Sequence, residues 1–77
     1  MDETYRLQVC YNYQAFPHDK AWWRWEHGTS HPTLEAARGA FRSYRDAHWD
    51  NASGAYVGFH GLWRIVGPDG RDCGVGT

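Results

Sequence analysis

The chain has 77 residues, a length that excludes a second folding unit and limits the core to what one small domain can enclose. Eight Lys and Arg against nine Asp and Glu leave a net charge of −1 at pH 7, which argues against a protein that coats nucleic acid through bulk positive charge. Aromatic residues make up 17% of the chain, more than one helix on one sheet face can cover. We therefore expect residues 1–77 to form a single compact domain with some aromatic side chains exposed.

Two strands are predicted in the N-terminal third. Apolar and polar side chains alternate along residues 5–13, which is the pattern of a half-buried strand. Turn-forming residues follow at 14–20, and residues 21–27 are a second, Trp-rich run, so the two strands are predicted to form a hairpin. Residues 28–32 contain Gly and Pro and are expected to end the second strand.

The pleat of the second strand predicts where its aromatic side chains lie. Trp23 and Trp25 are expected on the same face as the apolar side of the first strand, under a helix. Trp22 and Arg24 then share the opposite face, which gives the sheet an exposed aromatic surface. Such a surface is a common recognition device, since Trp dominates binding hot spots. The alternative is that loops or a second copy of the chain cover this face.

A helix is predicted from Leu34 to about Trp49. Thr33 is a good N-cap, and Glu35 lies near the positive end of the helix dipole. Apolar residues at spacings of three and four predict the stripe that faces the core. This stripe consists of Leu34, Ala37, Phe41, Tyr44 and His48. Residues 50–54 are expected to end the helix and form a loop.

The C-terminal third predicts short strands at residues 55–60 and 62–66. A turn follows at residues 67–70, with Pro at its second position and Gly supplying a positive φ. Residues 71–75 can pair back as a further strand. The predicted fold class is therefore α+β, an antiparallel sheet of four to five strands in the order β-β-α-β-β with the helix packed on one face.

A row of cations on the predicted helix is the first candidate binding site. Its members share one side of the helix, and a Trp continues the row one turn further. The row consists of Arg38, Arg42, Arg45 and Trp49. Guanidinium groups beside an aromatic ring suit phosphates and bases, or an acidic patch on a protein. The alternative is a solvated helix face in which Glu35 pairs with Arg38, and Arg42 pairs with Asp46.

The histidines and cysteines do not match a recognised site pattern. His27 and His31 are four residues apart across a Gly-containing turn, without further ligands at metal-site spacing. Cys10 and Cys73 are too few for a disulfide framework and lack the context of a nucleophile, although a bridge between them stays open. We therefore expect no metal, no cofactor and no enzymatic activity. With no basic leader and no long apolar segment, a cytoplasmic protein without a membrane partner is predicted.

The layout of these elements resembles the small phage-encoded inhibitors grouped as anti-CRISPR proteins. The resemblance rests on the β-β-α-β-β order, on the capped helix start TLEAA at 33–37, and on the closing hairpin with GLWRI at 61–65 and DGR at 69–71. The group shares no common motif, so no functional residue is carried over. The resemblance implies a stoichiometric binder that occludes a nucleic-acid-binding surface of a host complex. The near-neutral charge departs from inhibitors that imitate DNA, which are strongly acidic.

The sequence thus favours a non-enzymatic protein-binding domain, in the form of a phage or mobile-element inhibitor acting on a host protein or nucleoprotein complex in the host cytoplasm. One alternative is a domain that binds single-stranded nucleic acid through the Arg row and exposed aromatic residues. Another is a structural homodimer that buries the second sheet face. The residues predicted to contact a partner are Arg38, Arg42, Arg45, Trp49, Trp22 and Arg24.

Overall fold

The computed structural model describes residues 4–75, so residues 1–3 and 76–77 of the predicted domain lie outside the described part. The regular elements of this part are β1 (Tyr5–Cys10), β2 (Trp25–His31), α1 (Leu34–Asp46), β3 (Trp49–Asp50), β4 (Ala55–Tyr56) and β5 (Leu62–Val66). Strands β2, β1 and β5 form a three-stranded antiparallel sheet in that order, and β3 and β4 form a separate two-stranded ribbon. Among these residues, no helix is both long and apolar enough to cross a membrane.

Strand β1 is the centre of the main sheet, and the core lies between this sheet and α1. Leu7 lies opposite Thr29 of β2 and Ile65 of β5. Leu7 and Ile65 are buried, and Ala37 and Phe41 of α1 pack against them. Burying large apolar side chains on one face of the sheet is the main stabilising contribution available to a domain of this size. The predicted α+β class, with an antiparallel sheet and the helix on one of its faces, is confirmed.

The prediction of four to five strands in one sheet is wrong. Of residues 55–60, only Ala55–Tyr56 form a strand. The chain turns at Gly58, which has a φ of +75°, a value outside the range of a regular strand. The short strand β4 therefore pairs with β3 instead of joining the main sheet. Residues 71–75 contribute a single bridge, between Val66 and Asp72, rather than a full strand.

The second strand begins four residues later than predicted. Residues Lys20–Trp22 form a short 3-10 helix, because the side chain of Asp19 accepts a hydrogen bond from the backbone N–H of Ala21 at 3.1 Å. Trp23 follows this helix and packs edge-on against Tyr13 in the same loop, with ring centroids 6.3 Å apart. The rule of alternating faces therefore does not apply at residues 22–23, which precede the strand.

Gly28 lies inside β2, where the sequence predicted the end of the strand. The register of β1 with β2 shifts at this point, so Gly28 is the extra residue of a β-bulge. A Cβ atom on Gly28 would lie 3.3 Å from the carbonyl oxygen of Leu7, which explains the choice of glycine. Trp25 consequently pairs with Cys10, on the sheet face away from α1, and its predicted place under the helix is wrong.

Helix α1 begins as predicted and ends three residues early. The hydroxyl of Thr33 accepts a hydrogen bond from the backbone N–H of Ala36 at 3.0 Å, which confirms the N-cap. The helix ends at Asp46, because the carbonyl of His48 accepts from the backbone N–H of Val57 at 2.8 Å as the chain turns into the ribbon. Trp49 therefore lies in β3 and not on the helix.

The inward stripe of α1 is buried only in its first part. Ala37 and Phe41 are buried, Leu34 and His48 are half-buried, and Tyr44 is 43% exposed. The C-terminal end of α1 thus lies over aromatic side chains rather than over the centre of the sheet.

The turn that follows β5 is formed as predicted. The backbone N–H of Gly70 donates to the carbonyl of Gly67 at 3.0 Å, Pro68 stands at the second position, and Gly70 has a positive φ. Cys73 beyond the turn packs against the core on the helix side, whereas Cys10 is buried on the opposite face of the sheet. Both cysteines are free thiols.

Candidate partner-binding surface on the helix flank

The three arginines of the predicted row lie along one flank of α1. Arg38, Arg42 and Arg45 occupy positions separated by four and three residues, which places them on the same side of a helix. Arg42 is exposed, and Arg38 and Arg45 are half-buried. The helix is fixed against the sheet by its buried side, so the backbone that carries these side chains is ordered.

The local ion pairs expected for a solvated helix face are not formed. Among residues 4–75, the ion pair joins Arg45 Nε to Asp46 Oδ1 at 3.5 Å, and Arg38 and Arg42 have no carboxylate oxygen within 4.0 Å. The carboxylate of Asp46 is 65% exposed, and exposed pairs of this kind contribute only about 0–1 kcal/mol to the free energy of unfolding. Two guanidinium groups therefore remain without an internal anion in the described chain.

Arg45 is held in place by aromatic rings. Its guanidinium carbon lies 5.8 Å from the ring centroid of Phe41 and 5.8 Å from that of Tyr56. Cation–π contacts at exposed sites contribute about 0.5–1 kcal/mol each. The Nε atoms of Arg38 and Arg45 are shielded from solvent and make no hydrogen bond within residues 4–75. The Arg45 side chain is thus partly immobilised before any partner arrives.

The ribbon adds two exposed aromatic rings next to Arg45. Trp49 and Tyr56 are 45% and 42% exposed, and their rings meet edge to face with centroids 4.9 Å apart. The indole N–H of Trp49 donates to Oδ1 of Asn51 at 2.8 Å, which fixes the orientation of the ring. The prediction that Trp49 continues the Arg row along the helix is wrong. Trp49 lies in β3 and is next to the row because its ring contacts Tyr56, which in turn contacts Arg45. We refer to Arg38, Arg42, Arg45, Trp49 and Tyr56 as the helix-flank surface.

An aromatic cluster behind this surface joins the ribbon to the core. Phe59 lies between the ribbon and the main sheet and contacts Tyr56, Phe41 and Trp63, with ring centroids 5.6 to 6.1 Å apart. Sequence reasoning did not select Tyr56 or Phe59. The available signal was the recurrence of aromatic residues along 55–63, but the ring contacts depend on the turn at 57–61, which has no sequence period.

Trp22 and Arg24 lie in the loop between β1 and β2 rather than on a sheet face. The ring of Trp22 is 53% exposed and stacks on Phe16, with centroids 5.4 Å apart and 26° between the planes. Arg24 is exposed immediately before β2. These contacts within the loop make it an aromatic patch of its own, separate in sequence from the helix-flank surface.

The histidines are engaged with neighbouring hydroxyl groups. Nε2 of His27 lies 3.1 Å from the hydroxyl of Ser30, and Nε2 of His31 lies 2.6 Å from that of Thr29. Within residues 4–75, no group of three or more His, Cys, Asp and Glu side chains is arranged to hold a metal ion.

The helix-flank surface offers permanently charged donors next to aromatic rings, a combination that binds anionic groups. Comparison of the chain with family models, curated proteins and solved structures gives no match. Function is therefore inferred from the chemistry of this surface.

Proposed function

We propose that this chain is a non-enzymatic binding domain that recognises an acidic patch on a partner protein through its helix-flank surface. The observation that carries the proposal is that Arg38 and Arg42 have no carboxylate partner in the described chain. Guanidinium groups on an ordered helix are suited to bidentate hydrogen bonds with carboxylates. Because an Arg side chain stays protonated, the surface is built to bind a partner rather than to exchange protons with a substrate.

The aromatic part of the surface supplies contact area. Trp49 and Tyr56 are exposed but held by Asn51 and Arg45, so little side-chain entropy is lost when a partner covers them. Trp, Tyr and Arg are the residues that most often dominate the binding energy of protein interfaces. The proposed interface therefore has aromatic anchors beside a cationic row.

An inhibitor of a host complex, which the anti-CRISPR-type layout implies, is one form of this function. A surface that binds nucleic acid is itself basic, so an Arg row would be repelled by it. We therefore expect the helix flank of such an inhibitor to dock on an acidic patch beside the nucleic-acid channel and to block access by covering its entrance.

The test of the proposal is a charge reversal on the helix flank. The double variant Arg38→Glu/Arg42→Glu is compared with Lys20→Glu/Arg71→Glu, which changes the net charge equally at exposed positions elsewhere. Binding of a fluorescent poly-glutamate peptide is followed by anisotropy, and proteins retained from a host extract by immobilised wild type and both variants are compared by mass spectrometry. We expect the helix-flank variant to lose at least about tenfold in peptide affinity, because like charges now face the ligand.

The control variant should bind like the wild type and retain the same extract proteins. Equal binding by the helix-flank variant, with a folded circular dichroism spectrum, would show that this surface is not the interface. Among residues 4–75, none of the four substituted side chains forms an ion pair and none belongs to the hydrophobic core, so both variants are expected to fold.

A further inference from the structure

The face of the main sheet away from α1 carries a second group of cationic and aromatic side chains. Residues paired across antiparallel strands lie on the same face, and Gln8 of β1 is opposite Arg64 of β5 and His27 of β2. Trp25 is brought to this face by its pairing with Cys10, and Arg6 by its position two residues before Gln8. We refer to Arg6, Gln8, Trp25, His27 and Arg64 as the open sheet face.

Arg64 is held at the middle of this face by two contacts. Its Nε–H donates to Oε1 of Gln8 at 2.8 Å, and its guanidinium carbon lies 3.9 Å from the ring centroid of Trp25. Arg64, Gln8 and Trp25 are half-buried. Because Gln8 holds the Nε edge of the guanidinium and the Trp25 ring holds its face, the group loses little conformational freedom when it binds a ligand. The contacts leave the terminal Nη groups of Arg64 for another acceptor.

The remaining polar groups of this face are mainly donors. Gln8 uses its amide oxygen for Arg64, which leaves the amide nitrogen as a donor. Arg6 is diagonal to Arg64 across β1 and β5, a relation that separates side-chain attachment points by roughly 7–8 Å. Neither Arg6 nor Arg64 has a carboxylate within 4.0 Å among residues 4–75. Convergent N–H donors without an internal anion are complementary to the oxygens of a phosphate.

Among residues 4–75, the carboxylates near this face in sequence are directed elsewhere or already accept a hydrogen bond. Glu26 lies opposite Val9 and therefore on the helix side of the sheet. Asp72, bridged to Val66 at the sheet margin, accepts a hydrogen bond from the backbone N–H of Gly74 at 2.9 Å. Within the described residues, the centre of the open sheet face is thus positively charged, although the whole chain is nearly neutral.

We propose that the open sheet face binds the phosphate backbone of a single-stranded nucleic acid, with Arg64 and Arg6 as phosphate contacts. The face combines cations with the stacked pair of Trp25 and Arg64, and both aromatic rings and guanidinium planes are surfaces on which unpaired bases stack. Leu62, which pairs with Cys10 and is 39% exposed, extends its apolar area at the end of β1. An antiparallel sheet face with aromatic residues is a common platform for single strands. This site lies on the layer opposite α1 and is independent of the helix-flank surface.

The substitution Gln8→Glu tests this assignment. It preserves the acceptor for Arg64 and adds a charge that pairs with the guanidinium, so the fold is expected to be retained. The same charge neutralises Arg64 and repels phosphate. Gln14→Glu is the matched control, since Gln14 is exposed in the loop after β1 and carries the same chemical change. Binding of a fluorescent 20-nucleotide single-stranded DNA, and of its RNA counterpart, is measured by anisotropy over a series of salt concentrations.

We expect the wild type and Gln14→Glu to bind at least one of the two oligonucleotides, with a slope of log affinity against log salt of about −1.4 for two phosphate contacts. Gln8→Glu should lose at least about tenfold in affinity. Arg64→Lys is the second variant in case Gln8→Glu fails to fold. It keeps the charge but loses the planar fork, so it should reduce affinity, although less.

Three outcomes would overturn the assignment. The first is the absence of oligonucleotide binding by the folded wild type. The second is a loss of oligonucleotide binding in Arg38→Glu/Arg42→Glu but not in the open-face variants, which would move the site to the helix flank. The third is that the protein binds poly-glutamate and not the oligonucleotides, and that Gln8→Glu weakens the binding of poly-glutamate. This outcome would make the ligand an acidic protein. Failure of the helix-flank proposal can be distinguished from failure of this one. The helix-flank proposal is tested by peptide binding to Arg38→Glu/Arg42→Glu, whereas this proposal is tested by oligonucleotide binding to Gln8→Glu and Arg64→Lys.

Discussion

The rings of Phe59 and Trp63 stack with their planes nearly parallel, with centroids 5.6 Å apart and 5° between the planes. Phe59 also contacts Phe41 of α1 and Tyr56 of the ribbon, at centroid distances of 5.9 and 6.1 Å. Phe59 thereby packs the ribbon against the core of the main sheet. The position of Tyr56 on the helix-flank surface depends on this packing contact.

Replacing Phe59 by Ala is expected to lower the free energy of unfolding by about 2–3 kcal/mol, below the range for a fully buried Phe because Phe59 is half-buried. The ribbon should loosen, and binding through Tyr56 and Trp49 should weaken with it. Urea denaturation followed by Trp fluorescence measures the stability. Phe16→Ala is the control, since the ring of Phe16 is 41% exposed in the loop before β2, and it should cost clearly less. Equal losses in the two variants would mean that Phe59 does not join the ribbon to the core.

The N-cap of α1 gives a second expected outcome. Thr33→Ala removes the hydroxyl that accepts from the backbone N–H of Ala36, and the free energy of unfolding should fall by about 1 kcal/mol. Thr33→Ser retains the acceptor and should stay close to the wild type. Thermal unfolding followed by far-ultraviolet circular dichroism, which reports helix content, compares the three proteins. If Ser and Ala substitutions were equally destabilising, the cap would not be the cause.

Elements defined by short-range patterns could be predicted from the sequence. The alternation in β1 and the cap and spacing of α1 depend on neighbouring residues, so they were found within a few residues of their true bounds. The register of β2 could not be found in this way. Gly28 resembles a strand break in sequence, whereas in the fold it forms a bulge that lets the strand continue.

The candidate sites follow the same division. Arg38, Arg42 and Arg45 share a flank because of helical spacing alone, so the sequence predicts their arrangement. The contact of Arg64 with Gln8 joins residues that are 56 positions apart, and it requires the register of β1 with β5. A shift of one residue in a strand moves every side chain to the other face, so no local pattern could have placed Arg64 over Trp25.

The two thiols are expected to differ in reactivity. Cys10 has no exposed surface, whereas Cys73 is half-buried near the C-terminal turn. A maleimide reagent should therefore label Cys73 under native conditions and label Cys10 only after denaturation, because access controls thiol modification. Peptide mass spectrometry after timed labelling identifies the modified residue. Equal labelling rates in the native state would contradict the burial of Cys10, and a disulfide in untreated protein would contradict the placement of the two cysteines on opposite sides of the sheet.

Replacing Gly39 or Gly61 by Ala should change the free energy of unfolding in opposite directions. Gly39 lies inside α1, and a Cβ atom there would meet no other atom within 4 Å. Gly39→Ala should therefore raise the free energy of unfolding by about 0.5–1 kcal/mol, because Ala loses less backbone entropy on forming a helix.

Gly61 precedes β5 with a φ of +102°, and a Cβ atom there would lie 2.5 Å from Cγ2 of Val9 in the central strand. Gly61→Ala combines a strained backbone with a clash in the sheet, so it should lower the free energy of unfolding by about 2 kcal/mol or more. Urea denaturation of both variants against the wild type gives the two signs in one experiment. A Gly61→Ala protein as stable as the wild type would require a different path for the chain between Phe59 and Leu62, and with it a different register of Trp63 against Val9.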